Sequence, residues 1–100
     1  LIPVKMAVPA DGVYITELVW DGVRHPSMTN IGSNPTFANQ YRRIETHVLD
    51  WQDDLYGKQV SLCFRKRIRG EIVFASASEL MQQMKRDEAQ TRKFFLNAND

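Results

Sequence analysis

Gly12-Val13-Tyr14-Ile15-Thr16-Glu17-Leu18-Val19-Trp20 is a run made up mostly of β-branched and aromatic residues, and the dipeptide Asp21-Gly22 follows it directly. Residues of these types favour β-strands, and Asp-Gly is a preferred two-residue turn in β-hairpins. The pattern predicts a strand over residues 12–20, a tight turn, and a second strand from Val23 to about Ile31. An antiparallel hairpin is therefore the expected starting element of the fold.

Three more strands are predicted further along the chain, two of them from alternating polarity. Apolar and polar side chains alternate in residues 44–49 and again in residues 60–65, which predicts a third and a fourth strand. Residues 71–74 predict a fifth. Between the second and third strands, residues 30–39 are rich in Gly, Pro, Asn and Ser, which predicts a long loop.

The C-terminal part of the chain has helical signals. Ser76 and Glu79 have the spacing of a capping box, which predicts a helical part over residues 77–97, approximately. One bent helix and two short helices fit the pattern equally well. Met81 and Met84 are interpreted as core filling. Short strands followed by a helix predict an antiparallel barrel or sandwich with a helix packed on it.

Length and composition limit the classes of protein. The 100 residues leave room for one domain, predicted as residues 1–100 with the β part over residues 8–75, approximately. A 43% hydrophobic and 25% charged composition is that of a folded domain, and no apolar run is long enough to cross a membrane. A net charge of +1 argues against a nucleic-acid partner. Cys63 is the sole cysteine, which excludes an internal disulfide and favours a cytoplasmic location.

Glu45 is the first candidate for chemistry. A carboxylate in a β-branched strand costs desolvation free energy unless it faces water, a partner or a substrate. Two interpretations are open. Glu45 is either an outward-facing side chain on the wet face of a sheet, or a general base that takes a proton from a hydroxyl, with His47 on the same face.

A basic cluster, Arg65-Lys66-Arg67 with Arg69, is the densest charge in the chain. A solvated strand end or hairpin is the ordinary explanation, and an arginine that binds a phosphate or an anionic ring edge is the alternative. No P-loop or dinucleotide-binding motif is present. The two histidines, His25 and His47, have neither Cys partners nor helical spacing, so no metal ligand is predicted among these residues.

A series of motifs runs through nearly the whole chain. They are Gly12-Val13-Tyr14, Asn30-Ile31-Gly32-Ser33-Asn34-Pro35-Thr36-Phe37, Ile44-Glu45-Thr46-His47-Val48-Leu49-Asp50, Asp54-Leu55-Tyr56-Gly57, Ile68-Arg69-Gly70-Glu71 with Phe74, and Glu79-Leu80 with Asp87. In order and spacing they resemble the motifs of the riboflavin kinase (flavokinase) family. In bacteria such a domain is usually the C-terminal half of a bifunctional riboflavin kinase and FMN adenylyltransferase, also called FAD synthetase.

The resemblance implies a six-stranded antiparallel Greek-key β-barrel with a C-terminal α-helix. It also implies phosphoryl transfer from MgATP to riboflavin, which yields FMN and ADP, with Glu45 as the catalytic base for the terminal ribityl hydroxyl. The other implied residues are Val48 and Tyr56 for the adenine nucleotide, Leu62, Arg69 and Phe74 for the flavin, and Asn30, Gly32, Pro35 and Thr36 in a flap loop.

One family feature has no match. The family's Gly-rich phosphate-binding segment ends in Pro-Thr-Ala-Asn and normally lies just before the point at which this chain begins. The Mg²⁺ and nucleotide ligands and the first barrel strand are therefore expected upstream of Leu1, and the isolated chain is expected to be poorly active. An unpaired strand edge leads to the hypothesis of self-association. The alternative function is a catalytically incomplete β-barrel module that binds flavin or a protein partner.

Overall fold

Four strands and one C-terminal helix form the framework of the described residues. The computed structural model describes residues 9–33, 42–52, 55 and 57–98. The strands are β1 (Gly12–Trp20), β2 (Val23–Ser33), β3 (Arg42–Val48) and β4 (Ser61–Arg69), and the helix is α1 (Ala77–Ala98). All strands pair antiparallel in one sheet of order β3-β2-β1-β4. The mainly β class with a C-terminal helix is therefore confirmed.

The β1–β2 hairpin closes at Asp21 and Gly22, as the sequence predicts. Their φ angles are 53° and 73°, and two positive φ angles give the turn whose twist matches that of the flanking strands. Trp20 lies opposite Val23 across the turn. β2 runs past its predicted end and reaches Ser33. The predicted loop is therefore wrong for residues 30–33: Asn30 and Gly32, which the family resemblance places in a flap loop, lie in β2 and pair with β3.

The predicted strand over residues 71–74 is wrong. This segment has no regular secondary structure, and the Val73 side chain is 94% exposed. β4 pairs with β1 as far as Arg69 and Val13, and β1 begins at Gly12, so a single β1 residue remains beside the chain beyond Arg69. The described residues therefore contain four strands, and the six-stranded count is not confirmed.

The register gives the sheet two distinct faces, because directly opposite residues on neighbouring strands point the same way. One face carries Thr16, Ser27 and Thr29, each 0% exposed, and Thr46 on β3. Hydrogen bonds of 2.7, 2.9 and 2.9 Å link the hydroxyls of these four residues in a chain. Helix α1 contacts the opposite face.

Helix α1 is continuous, which decides between the one-helix and two-helix interpretations. The Glu79 N–H donates to the Ser76 hydroxyl at 3.2 Å, and the Ala75 N–H donates to the Glu79 carboxylate at 3.0 Å. The first of these bonds satisfies an N–H group that has no partner inside the helix. The predicted helix start at the capping signal is confirmed.

The interpretation of Met81 and Met84 as core filling is wrong. Their side chains are 59% and 48% exposed, whereas Asp87 and Thr91 on the same helix are 3% and 0% exposed. An open pocket, lined in part by Met84, separates the first half of the helix from the sheet. The buried positions of α1 therefore lie further along the helix.

The basic segment 65–67 lies within β4 rather than at a strand end or in a hairpin. Arg65 forms an ion pair with the Glu17 carboxylate, and Arg67 Nη2 donates to the Asp11 carbonyl at 2.9 Å. These arginines are used in contacts within the fold. In the described part of the chain, no helix has the length and apolar character needed to cross a membrane.

Candidate functional site

A single row of side chains crosses all four strands. Arg69 on β4 lies opposite Val13 on β1, Val13 lies opposite Asn30 on β2, and Asn30 lies opposite Glu45 on β3. These side chains therefore project from the same face of the sheet. Neighbouring strands are about 4.8 Å apart, so the row is roughly 14 Å long. The sheet brings a carboxylate and a guanidinium that are distant in sequence to the two ends of one row.

An open pocket of about 380 Å³ lies over this row, within the size range of small-molecule sites. The sheet forms its floor, and the segment after β4 and the first half of α1 form its walls. From the sheet come Val13, Met28, Thr29, Asn30, Glu45, Thr46, His47 and Arg69; from the walls come Glu71, Ile72, Phe74, Leu80, Met84 and Asp87. The floor and the walls of the pocket thus each carry both carboxylates and apolar side chains.

Glu45 stands at one end of the row with its side chain 68% exposed. Its carboxylate lies 3.8 Å from Arg43 Nη1, an exposed pair of the kind that contributes little. His47 projects from the same face of β3, and its Nε2 lies 3.8 Å from the Glu88 carboxylate on α1. The Glu45 carboxylate is therefore accessible from the pocket, as a general base must be.

At the other end of the row, Asp87 holds Arg69. The Asp87 carboxylate accepts hydrogen bonds from Arg69 Nε at 3.1 Å and Nη2 at 2.7 Å, and from the Gln83 amide at 3.0 Å. Arg69 Nη1 donates to the Gly70 carbonyl at 3.0 Å. The Arg69 and Asp87 side chains are only 17% and 4% exposed, so this is a buried, hydrogen-bonded ion pair, and breaking it by removing one partner is costly.

The chain matches a family model described as Flavokinase: Riboflavin kinase over residues 2–95. It belongs to the riboflavin kinase family. It is similar to the bifunctional riboflavin kinase/FMN adenylyltransferase of Escherichia coli (strain K12), at 42% identity over 96 residues, which are 94% of this chain and 31% of that protein. The protein of the same name from Pseudomonas fluorescens is 36% identical over 89 residues, which are 88% of this chain and 29% of that protein.

A solved structure shares the fold. A crystal structure described as a macrolide-efflux protein from Streptococcus pneumoniae matches with a TM-score of 0.77 and 35% identity, covering 86% of this chain and 28% of that one. The word "efflux" in that name refers to the S. pneumoniae protein. The riboflavin kinase-family chain described here spans about 31% of the length of the E. coli relative.

The structure gathers several of the residues to which the riboflavin kinase resemblance gives roles. Glu45, Arg69, Phe74 and Asn30 all line the pocket. Gly32 lies beside it, against the pocket residue Glu71. Three further predicted site residues, Tyr56, Pro35 and Thr36, lie outside the described residues.

Val48 and Leu62 lie on the face of the sheet away from the row. Val48 is opposite Ser27 and Leu62 is opposite Leu18, so both share a face with the buried hydroxyls. Val48 is 9% exposed and belongs to the core. The roles of these two residues in nucleotide and flavin binding stay predictions.

Asp87 and Glu71 line the pocket, although their sequence motifs assign them no role in it. A signal was available for Asp87, because Met84, Asp87 and Thr91 follow the spacing of one helix face and a carboxylate on a buried stripe needs a partner. Glu71 offered no comparable signal, since its position follows from the path of a segment without regular structure.

In residues 9–33, 42–52, 55 and 57–98, no group of three or more His, Cys, Asp or Glu side chains is placed to hold a metal ion.

Proposed function

We propose that this chain is the riboflavin kinase domain of an enzyme that phosphorylates riboflavin. The γ-phosphoryl group of MgATP is transferred to the ribityl 5′-hydroxyl, which yields FMN and ADP. The observation that carries the proposal is the family match over residues 2–95. The accessible Glu45 carboxylate in the pocket supports it further.

The row from Arg69 to Glu45 supports one orientation of the flavin. At the Arg69 end, the pocket offers guanidinium donors, which suit the carbonyl groups of an isoalloxazine ring. The Phe74 ring in the lining of the same pocket suits the flat apolar faces of that ring. At the Glu45 end, it offers a carboxylate accessible to solvent. In this proposal the ring lies near Arg69 and Phe74, and the ribityl chain runs along the row to Glu45.

Glu45 acts as the general base. Its carboxylate takes the proton of the ribityl 5′-hydroxyl as the hydroxyl oxygen forms a bond to the γ-phosphorus. The bond between the γ-phosphorus and the β,γ-bridging oxygen breaks, and ADP leaves with the electron pair. Positioning and charge neutralisation dominate phosphoryl transfer, so the base supplies only part of the acceleration, about 10²–10⁴-fold.

Family membership supports the remaining parts of the proposal. Tyr56 contacts the adenine nucleotide, and Pro35 and Thr36 belong to a flap over the site that follows Asn30 and Gly32 of β2 in the sequence. The nucleotide role of Val48 and the flavin role of Leu62 rest on the family resemblance alone, because both residues lie on the other face of the sheet. The complete domain is a six-stranded barrel in a cytoplasmic enzyme. An FMN adenylyltransferase domain is attached, as the names of the relatives describe for those proteins.

A chromatographic assay of FMN formation by the full-length protein tests this function. With riboflavin and MgATP we expect FMN and ADP in equal amounts, and no FMN when either substrate is omitted. Quenching of flavin fluorescence without turnover would instead favour a non-catalytic flavin-binding module. Failure to bind either riboflavin or ATP would overturn the proposal.

A further inference from the structure

We propose that Asp87 is a specificity-determining residue that favours neutral riboflavin over its phosphorylated product in the pocket. Its carboxylate cancels the charge of Arg69 while leaving that guanidinium able to donate hydrogen bonds. The inference rests on the function proposed above. It gives the Arg69–Asp87 pair a role in ligand selection beyond its role in joining α1 to β4.

Arg69 is the sole arginine or lysine among the described residues that line the pocket. A guanidinium has five N–H groups, of which the Nε–H and one on Nη2 donate to Asp87 and one on Nη1 donates to the Gly70 carbonyl. Within the described part of the chain, the other two donate no bond. They suit the neutral carbonyl or hydroxyl oxygens of a ligand.

With Arg69 balanced by Asp87, the remaining charge of the described pocket lining is negative. Glu45 contributes a carboxylate from the sheet and Glu71 contributes one from the wall. Arg43 approaches Glu45 only at 3.8 Å in an exposed pair, which offsets little of this charge. Riboflavin is uncharged near neutral pH, whereas a phosphate monoester carries about 1.5 to 2 negative charges. The pocket therefore repels the product and not the substrate.

The distance along the row between Arg69 and the FMN phosphate sets how strongly the Asp87 charge affects FMN binding. The phosphate forms at the Glu45 end, roughly 14 Å from Arg69. Loss of the Asp87 charge would leave Arg69 unbalanced and attract that phosphate. For a phosphate dianion at this distance and effective dielectric constants of about 40 to 80, loss of the Asp87 charge should strengthen FMN binding roughly three- to tenfold.

The test is the ratio of the FMN inhibition constant to the riboflavin KM in the kinase reaction of the full-length protein. The two flavins differ only by the phosphate, so changes in ring contacts largely cancel in this ratio. We expect Asp87→Asn to lower the ratio by about three- to tenfold. Arg69→Gln leaves the Asp87 charge unbalanced, so we expect this variant to raise the ratio.

Two control variants separate charge from packing. The double variant R69Q/D87N removes both charges, so the ratio should return close to the wild-type value even though the tie between α1 and β4 is weakened. Asp50→Asn removes the same unit charge from a carboxylate that is also bound by an arginine, Arg92, but lies outside the pocket lining. It should leave the ratio unchanged.

Removing one partner of a buried pair is strongly destabilising, so Asp87→Asn alone is not the whole test. The wild-type protein provides a second measurement. Raising the ionic strength from about 0.05 to 0.5 M should lower the FMN inhibition constant and leave the riboflavin KM unchanged, because salt screens the repulsion. Shifts of D87N and R69Q in the same direction, or an inhibition constant insensitive to salt, would overturn the inference. A wild-type protein that makes no FMN would refute the proposed function instead.

Discussion

The Glu71 carboxylate lies directly against Gly32, near the end of β2. A Cβ at position 32 would overlap that carboxylate. Glycine is therefore needed here for a close approach between two parts of the chain. Because Glu71 lines the pocket, the shape of this wall depends on the absence of a side chain at position 32.

Gly32→Ala should displace the Glu71 carboxylate with little loss of stability. The obstacle is the end of a flexible, exposed side chain, so we expect a loss below about 1 kcal/mol. Gly12 is the matched control, since its φ is 154° and a Cβ there would lie 2.6 Å from the Arg69 carbonyl oxygen, a backbone atom. Gly12→Ala should cost about 2 kcal/mol or more. Urea unfolding measures both, and equal losses would contradict this account.

The buried chain of hydroxyls predicts a graded loss of stability. Thr29 bonds to both Thr16 and Thr46 at 2.9 Å, whereas Thr46, at the end of this row of hydroxyls, bonds to Thr29 alone among the described residues. Thr29→Val keeps the shape and removes two bonds, so we expect a loss of about 1–3 kcal/mol. Thr46→Val removes one bond and should cost less. Thermal unfolding of the two variants checks this order, and the absence of a loss in both variants would show that the hydroxyl hydrogen bonds contribute nothing.

Local chemistry made much of the fold predictable. Asp21 and Gly22 accept positive φ angles, so the hairpin could be placed from a dipeptide. Ser76 and Glu79 likewise marked the helix start, because a cap acts within one turn. The prediction of a strand over residues 71–74 was wrong, because the hydrogen-bond partners available to a segment depend on where the neighbouring strand begins. The sequence pattern of residues 71–74 contains no information about the start of β1 at Gly12.

The site was predictable only in part, for a related reason. Alternation in β3 put Glu45 and His47 on one face, and the structure places both in the pocket. The row that joins Glu45 to Arg69 follows from the strand order, which no local pattern specifies. The exposure of Met84 could not be predicted either, because helical spacing identifies a stripe but not whether it meets a sheet or an open pocket.

Glu45→Gln should lower kcat of the full-length protein by about 10²-fold or more, because the amide cannot accept the hydroxyl proton. The riboflavin KM should change little, since the side chain keeps its size and polarity. Glu88→Gln is the matched control, because it removes a nearby carboxylate that is absent from the pocket lining and should retain kcat. Wild-type turnover by the Glu45 variant would refute its assignment as the base.

The Asp50–Arg92 ion pair predicts a pH-dependent contribution to stability. Two hydrogen bonds of 2.9 Å from Arg92, together with its charge, hold the pKa of Asp50 below its ordinary value of 3.8. A lowered folded-state pKa stabilises the fold above the unfolded-state value, and this contribution is lost as pH falls through the lowered one. Asp50→Asn should therefore be less stable than wild type at about pH 7, and the difference should shrink toward about pH 2. Urea unfolding at both pH values checks this, and Arg92→Gln should show the same convergence; a difference that is constant with pH would exclude the ion pair as its source.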